Sequence, residues 1–275
     1  MPELPEVETI AAALRGTVVG ETITGVEIFS PAMRTPLTPL LEAHLEGRKI
    51  INVHRRARYL ILGLDDKRCI LMHFGMSGVI RLEGVDVPKR KHEHVFIHLS
   101  GEMILRFECP RRFSICEVHA DLSGNGVPRD LEVRLGVEPL TSDFSGAFLY
   151  QASRNRKNPI KNFIMDNAIV VGVGNIYATE SLFAAGISPL RPAGELSAVE
   201  AENLVAEIKA ILKRAIAAGG STIRDYRHVD GSEGKFAQTL LMYGHAGAPC
   251  PRCGMTIECV KLGGRSSCYC PECQK

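Results

Sequence analysis

The residues best suited to chemistry stand at the two ends of the chain. Met1-Pro2-Glu3-Leu4-Pro5-Glu6-Val7-Glu8 opens it, with two prolines set among three carboxylates. Removal of the initiator methionine, usual before a small residue, would leave Pro2 as a free secondary amine. An α-amino group titrates near about pH 8, so a useful minority is unprotonated at neutral pH. Such an amine attacking a sugar C1′ gives an iminium ion that has no second proton to lose and stays cationic. That ion is an electron sink and acidifies the neighbouring C2′ proton. Glu3, the next residue, is within reach to protonate a ring oxygen or to take the C2′ proton. The same stretch also reads, more simply, as a well-capped N-terminal helix.

At the other end, Cys250-x-x-Cys253 and Cys270-x-x-Cys273 flank residues 254–269. Two such pairs supply four thiolates for one tetrahedral zinc ion on the spacing of a β-hairpin ribbon. A site closed by four cysteines is structural and activates no water. Cys259 and Cys268 fall outside the paired spacing and are left out of the set.

Between the ends lie short basic or glycine-rich stretches. His54-Arg55-Arg56-Ala57-Arg58-Tyr59 is a basic cluster at the head of a strand. His73-Phe74-Gly75-Met76-Ser77-Gly78 sets a methionine between glycines, and Pro110-Arg111-Arg112-Phe113 sets an aromatic beside two guanidinium groups. Basic strand edges and core Met or Phe would explain each in isolation. Flanking glycines weaken the core reading for Met76, as neighbouring arginines do for Phe113. Gly172-Val173-Gly174-Asn175 opens a helical pattern, where backbone N–H groups can meet an anion. A polar, glycine-rich loop follows from Thr222 to Gly234.

These residues need elements to hold them. Val7, Ile10, Ala11 and Leu14 recur at helical spacing, with Gly16 placed to stop the helix. Seven β-like runs follow: 23–29, 49–53, 59–64, 69–73, 79–82, 95–99 and 103–107, an antiparallel sandwich or barrel. Residues 122–140, rich in glycine, proline and charge, read as the inter-domain connection, and the linker is drawn over 136–155, between an N-terminal domain over 1–135 and a helical domain over 156–245. Ser197-Ala198-Val199-Glu200 is a capping box ahead of Leu204, Ile208, Ile211 and Leu212, and Gly219-Gly220 ends that helix. Residues 246–275 form the four-cysteine module.

Composition bounds the function. Of 275 residues, 45% are hydrophobic and 23% charged, with net charge +2, no charged-then-apolar leader and no run able to span a membrane. Nine cysteines without a secretory signal fit a reducing compartment. The total charge is too small to establish a nucleic-acid partner, but the basic residues cluster at 54–58, 89–92, 111–112 and 154–161.

Taken together, the opening MPELPEVE, the stretch from Lys161 to Glu180 and the paired cysteines resemble the bacterial formamidopyrimidine-DNA glycosylase / endonuclease VIII family over essentially the full length. The resemblance implies an α+β fold: an N-terminal antiparallel β-sandwich with flanking helices, then a helix–two-turn–helix domain carrying a β-hairpin zinc finger. It implies a bifunctional DNA glycosylase and abasic-site lyase that removes 8-oxoguanine and formamidopyrimidines and cleaves by β- and δ-elimination. Pro2 would be the nucleophile and Glu3 the acid/base, with Glu6 and Arg58 completing the catalytic set.

Met76, Arg111 and Phe113 match the family's wedge into the duplex. His73, Lys161, Asn175, Tyr177 and Arg265 fall among its backbone contacts, and Thr222, Arg224 and Tyr226 in the loop that closes over the flipped base. Cofactor and partner would be one structural zinc and duplex DNA containing oxidised bases, with no membrane, in a monomer of the bacterial cytoplasm working at the nucleoid. The family usually has lysine at Arg58, aspartate at Cys109 and glutamine at Gly264. Two rivals stay open: an endonuclease VIII-like enzyme for oxidised pyrimidines, and an inactive relative that only binds damaged DNA.

Overall fold

The computed structural model describes residues 2–37, 40–222 and 227–275. Its chain runs α1 (Leu4–Arg15), β1 (Ile23–Ile28), α2 (Leu40–Leu45), β2 (Ile50–Arg56), β3 (Tyr59–Leu64), β4 (Cys69–His73), β5 (Val79–Gly84), β6 (Glu93–Leu99), β7 (Met103–Glu108) and β8 (Ile115–His119). It continues with α3 (Arg129–Arg134), α4 (Gly146–Ser153), α5 (Ile160–Ile164), α6 (Asn175–Ala185), α7 (Ala198–Ala217), β9 (Glu258–Leu262) and β10 (Arg265–Tyr269). Two compact units result, one of residues 1–133 with 218–237, the other of 134–217 with 238–275.

The first unit is a sandwich of two antiparallel four-stranded sheets, ordered β1-β6-β7-β5 and β2-β3-β4-β8. Leu60 and Leu62 of β3, Ile70 and Met72 of β4, Val95 and Ile97 of β6, and Leu105 and Phe107 of β7 share one core. The alternate-residue spacing of these side chains follows from the two-residue period of a strand. Val7, Ile10, Ala11 and Leu14 of α1 enter the same core, as their helical spacing requires. The helix stops at Gly16, and Arg15 ties its last turn to β2 through a 2.9 Å bond from Nε to the Val53 carbonyl. β8 has no counterpart among the sequence-predicted strands. It is a short edge strand whose partly polar Ile115–His119 gains its pattern only from pairing with β4.

The second unit is built on α7, whose Leu204, Ile208, Ile211 and Leu212 are buried. Its expected capping box is present: the Glu200 N–H donates to Ser197 Oγ at 3.2 Å, and the Ser197 N–H returns to Glu200 Oε2 at 2.9 Å. The Arg191 guanidinium, with help from Ser197, holds the Glu200 carboxyl down to about 2.

The structure redraws the expected domain boundaries at two places. Residues 146–153 are a helix of the second unit, capped by Ser145, not part of a linker. Residues 218–237 return to the sandwich, where Val229 joins its core and accepts the Leu82 N–H. Neither return nor helix carries a strong local pattern, so only the packing assigns them.

Candidate active site and nucleic-acid interface

Pro2 and Glu3 lie buried at the start of α1. Glu3 is the N-cap, and it makes a reciprocal capping box with Glu6: the Glu3 N–H donates to Glu6 Oε2 at 2.8 Å, while the Glu6 N–H faces the Glu3 carboxylate. The second oxygen of Glu6 accepts the Ser221 N–H, also at 2.8 Å. Glu6 therefore fastens the N-terminus to the returning 218–237 segment, and a buried carboxylate satisfied by N–H donors is an economical fastener. The resemblance puts Glu6 in the catalytic set; the structure gives it this positioning part. Ser221 carried no local signal.

The basic cluster divides. Along β2 successive side chains face opposite ways, so one run of charge cannot line one surface. Arg55 pairs with Glu8 at 2.8 Å, Arg56 with Glu132 at 3.6 Å, and His54 lines a cavity of about 390 Å³ with Gly63, Lys67, Ser123 and Gly126. Only Arg58, in the β2–β3 turn after left-handed Ala57, belongs with the His73 end of β4. Arg58 is largely buried, at 8% exposure.

His73 accepts the Gly75 N–H on Nδ1 at 3.1 Å, which leaves the Nε2–H tautomer to donate. Burial, then the charges of Arg58 and Arg34, push its pKa down to about 4. His73 is thus an uncharged hydrogen-bond donor near neutrality. Its folded pKa lies below the ordinary 6.5, so its contribution to stability is complete above about pH 6.5 and is lost as pH falls toward about 4. The imidazole of His73 is expected to stay neutral at pH 5.5 by NMR titration; a midpoint near 6.5 would contradict this placement.

Met76 and Phe113 are 43% and 48% exposed, unusual for residues of their size, and Arg111 lies over the Phe113 ring at 5.3 Å. Their loops are joined. Gly75 has φ +56°, and a Cβ there would sit 2.5 Å from the Phe113 carbonyl oxygen, so only glycine admits this approach. Ser114 Oγ donates to the Phe74 carbonyl at 3.0 Å. Cys109, where the family usually has aspartate, accepts the Ser114 N–H on its sulfur at 3.3 Å, and its carbonyl accepts the Arg112 N–H at 3.1 Å. The thiol keeps the turn closed without a carboxylate.

In the second unit, α5 and α6 are joined by a turn in which Val170, Val171 and Val173 are buried. Gly174 caps α6 and Asn175 is its first residue. Lys161 corrects the expectation of a direct DNA contact. It is 1% exposed, and its ammonium donates to Asn175 Oδ1 at 2.7 Å, to the Ser266 carbonyl at 3.0 Å and to Ser267 Oγ at 2.7 Å. All three protons are used inside the protein. Because Lys161 occupies Oδ1, the Asn175 amide presents its NH₂ for an acceptor such as phosphate. Lys161 thus positions Asn175 and β10 together.

Tyr177 is also corrected. It is 0% exposed, within a helix buried from Ile176 to Phe183, and cannot face a duplex. Thr222 accepts the Gly234 N–H at 2.8 Å and pins the base of its loop. Arg224 and Tyr226 lie outside the described residues. Glu180, unnoticed in the sequence, accepts the N–H groups of Leu241, Met242 and Tyr243 at 2.8–2.9 Å and holds the approach to the cysteine module.

The sulfurs of Cys250, Cys253, Cys270 and Cys273 all lie within 4.8 Å of one another. Two separations are 3.9 Å, between Cys250 and Cys273, and 3.5 Å, between Cys253 and Cys270. Zn–S bonds of about 2.3 Å in a tetrahedron place sulfurs about 3.8 Å apart, so the cluster fits zinc. β9 and β10 form its hairpin, turned by Gly263 at φ +54° and Gly264 at φ +76°. Two successive left-handed residues are what a two-residue primed turn needs, which accounts for glycine in place of the usual glutamine. Arg265 is exposed beside that tip.

Family models match three segments: residues 1–116 the formamidopyrimidine-DNA glycosylase N-terminal domain, 135–227 the formamidopyrimidine-DNA glycosylase H2TH domain, and 247–275 the zinc finger found in FPG and IleRS. A formamidopyrimidine-DNA glycosylase of Serratia proteamaculans is 47% identical over 275 residues, all of both chains. A solved MutM in complex with DNA containing carbocyclic 8-oxo-G is 35% identical, covers 100% of both chains and superposes with a TM-score of 0.90. A Lactococcus lactis Fpg in complex with abasic-site DNA is 34% identical over 99% of each chain, also at a TM-score of 0.90. Among the described residues, no helix is long and apolar enough to cross a membrane.

Proposed function

From the premise that this chain belongs to the formamidopyrimidine-DNA glycosylase family, we propose how its own residues carry out the reaction. The protein is a bifunctional DNA glycosylase and abasic-site lyase for oxidised purines in duplex DNA, and its cysteine module takes one structural zinc. Removal of Met1 frees the Pro2 nitrogen, which attacks C1′ of the damaged nucleotide as the base departs. Glu3 protonates the opening sugar and then removes the C2′ proton from the cationic iminium, so that the 3′ phosphate leaves by β-elimination. A second elimination releases the 5′ phosphate, and water then frees Pro2.

Glu6 keeps Glu3 and residue 221 in place for these steps. Arg58 and His73 meet backbone phosphate, one as a cation and one as a neutral donor. Met76, Arg111 and Phe113 fill the gap left by the extruded base, offsetting part of the stacking lost. Asn175 and Arg265 grip the backbone, and zinc supplies the covalent-strength anchor that keeps the Arg265 hairpin folded. The protein acts as a monomer in the bacterial cytoplasm, at the nucleoid.

The observation that carries this reading is the buried Glu3–Glu6 capping box, which fixes a carboxylate immediately beside Pro2. Borohydride trapping on a duplex with one 8-oxoguanine tests it. Intact mass should show Met1 lost, and the reduced adduct should map to Pro2. A crosslink found only on a lysine overturns the assignment. No crosslink despite tight binding identifies an inactive binder, and trapping confined to oxidised-pyrimidine duplexes identifies the other branch of the family.

A further inference from the structure

Cys259 and Cys268 stand outside the zinc set, yet they are directly opposed across the β9–β10 ribbon. Their Cα atoms are 4.1 Å apart and the two sulfurs are bonded. Directly opposed positions on antiparallel strands bring their side chains close enough for a bridge across the ribbon. The two sulfurs differ in access: Cys259 is exposed, and Cys268 is buried at 5% exposure. Among the described residues, the only other exposed cysteine is Cys253 of the zinc set. Cys69, Cys109 and Cys116 lie inside the sandwich, where burial pushes the Cys69 and Cys116 thiols up to about 12. A thiol-reactive molecule outside the protein therefore meets Cys259.

The two strands are held unequally. β10 is anchored by Lys161, through the Ser266 carbonyl and Ser267 Oγ. β9 is mostly exposed and, among the described residues, pairs only with β10 in a sheet of two strands. Two-stranded ribbons are marginal on their own. At the base of the ribbon, Tyr269 donates to Glu258 at 2.9 Å, and the Cys259–Cys268 pair lies one step nearer the tip that carries Arg265.

We propose that Cys259 and Cys268 form a redox-responsive clasp on this hairpin, stiffening the Arg265 arm as a disulfide and loosening it as a dithiol. The inference rests on the reading of Arg265 as a DNA-backbone contact. The oxidant is a low-molecular-weight disulfide of the glutathione class. The Cys259 sulfur attacks one sulfur of that disulfide and expels the other half as a thiol, which takes the Cys259 proton. The Cys268 sulfur then displaces the second half from Cys259, and its proton leaves with that thiol. Two protein S–H bonds are exchanged for one protein S–S bond, and the small disulfide is reduced to two thiols. An arm ordered beforehand loses less freedom on binding, so the oxidised form binds more tightly.

The test is the affinity of zinc-loaded, full-length protein for a duplex holding a stable abasic analogue, in buffers poised from fully reduced to fully oxidised glutathione. Oxidised wild type is expected to bind about three- to tenfold more tightly than reduced wild type, through slower dissociation. Peptide mapping should find the 259–268 bridge, with zinc still at one per chain. C259S and C259A, changed at an exposed position, should both bind like reduced wild type whatever the buffer. Redox-independent wild-type affinity, a redox response kept in both variants, or a bridge mapped to the zinc cysteines overturns the clasp. Failure of reduced and oxidised wild type alike to bind the duplex overturns the DNA-repair reading beneath it.

Discussion

Glu3→Gln is expected to lower single-turnover excision of 8-oxoguanine by about 10²–10⁴, the usual contribution of a positioned acid–base group, while abasic-duplex affinity stays within a few-fold. The structure makes this substitution clean. Glutamine keeps the shape of glutamate and an oxygen that still faces the Glu6 N–H, so the cap on α1 survives and only proton transfer is lost. Glu6→Gln provides the contrast. Both Glu6 oxygens accept N–H groups, from Glu3 and Ser221, and glutamine would turn an NH₂ toward one of them. An unsatisfied buried donor costs about 1–3 kcal/mol, so that variant should lose stability as well as activity. Thermal unfolding alongside single-turnover kinetics separates the two. Wild-type excision by Glu3→Gln would remove Glu3 from the mechanism.

Zinc removal should have the second large effect. The core of the cysteine module consists of Phe183, Met242 and Ile257 together with Cys250, Cys268 and Cys270; two of these six are zinc ligands, and the three non-cysteine side chains give little apolar packing without the metal. Structural zinc contributes about 10–16 kcal/mol of apparent binding energy in small modules, far more than such a core can replace. Cys270→Ser, or chelation, should release the metal, unfasten β10 from Lys161 and reduce duplex affinity by on the order of a hundredfold, equivalent to about 2.7 kcal/mol. Hydrogen exchange in β3 and β4, in the other unit, should be unchanged. Metal analysis with fluorescence anisotropy reads both effects, and a zinc-free protein with unaltered affinity would show that the module does not serve DNA binding.

What the sequence determined by itself is what depends on neighbours along the chain. The helical spacing of Val7, Ile10, Ala11 and Leu14 and the stop at Gly16 reappear in α1, and the 59–64 and 69–73 runs are β3 and β4. The Ser197–Glu200 box and the two cysteine pairs are equally local, since cap and metal geometry dictate residue type at short, fixed intervals. The tertiary structure decided where charged and polar groups find their partners. Lys161 carries the same local signature whether it meets phosphate or, as here, Ser267, 106 residues on. Nothing around Glu6 announces Ser221, 215 residues away, and the pattern of α6 does not tell that Tyr177 faces inward. Cys259 and Cys268 became a pair only once the ribbon's register was set. Backbone propensity and periodicity are short-range and legible residue by residue. The partner of a buried ammonium, carboxylate or thiol is chosen by the whole packed chain, because an unpaired one in the interior is too costly to leave.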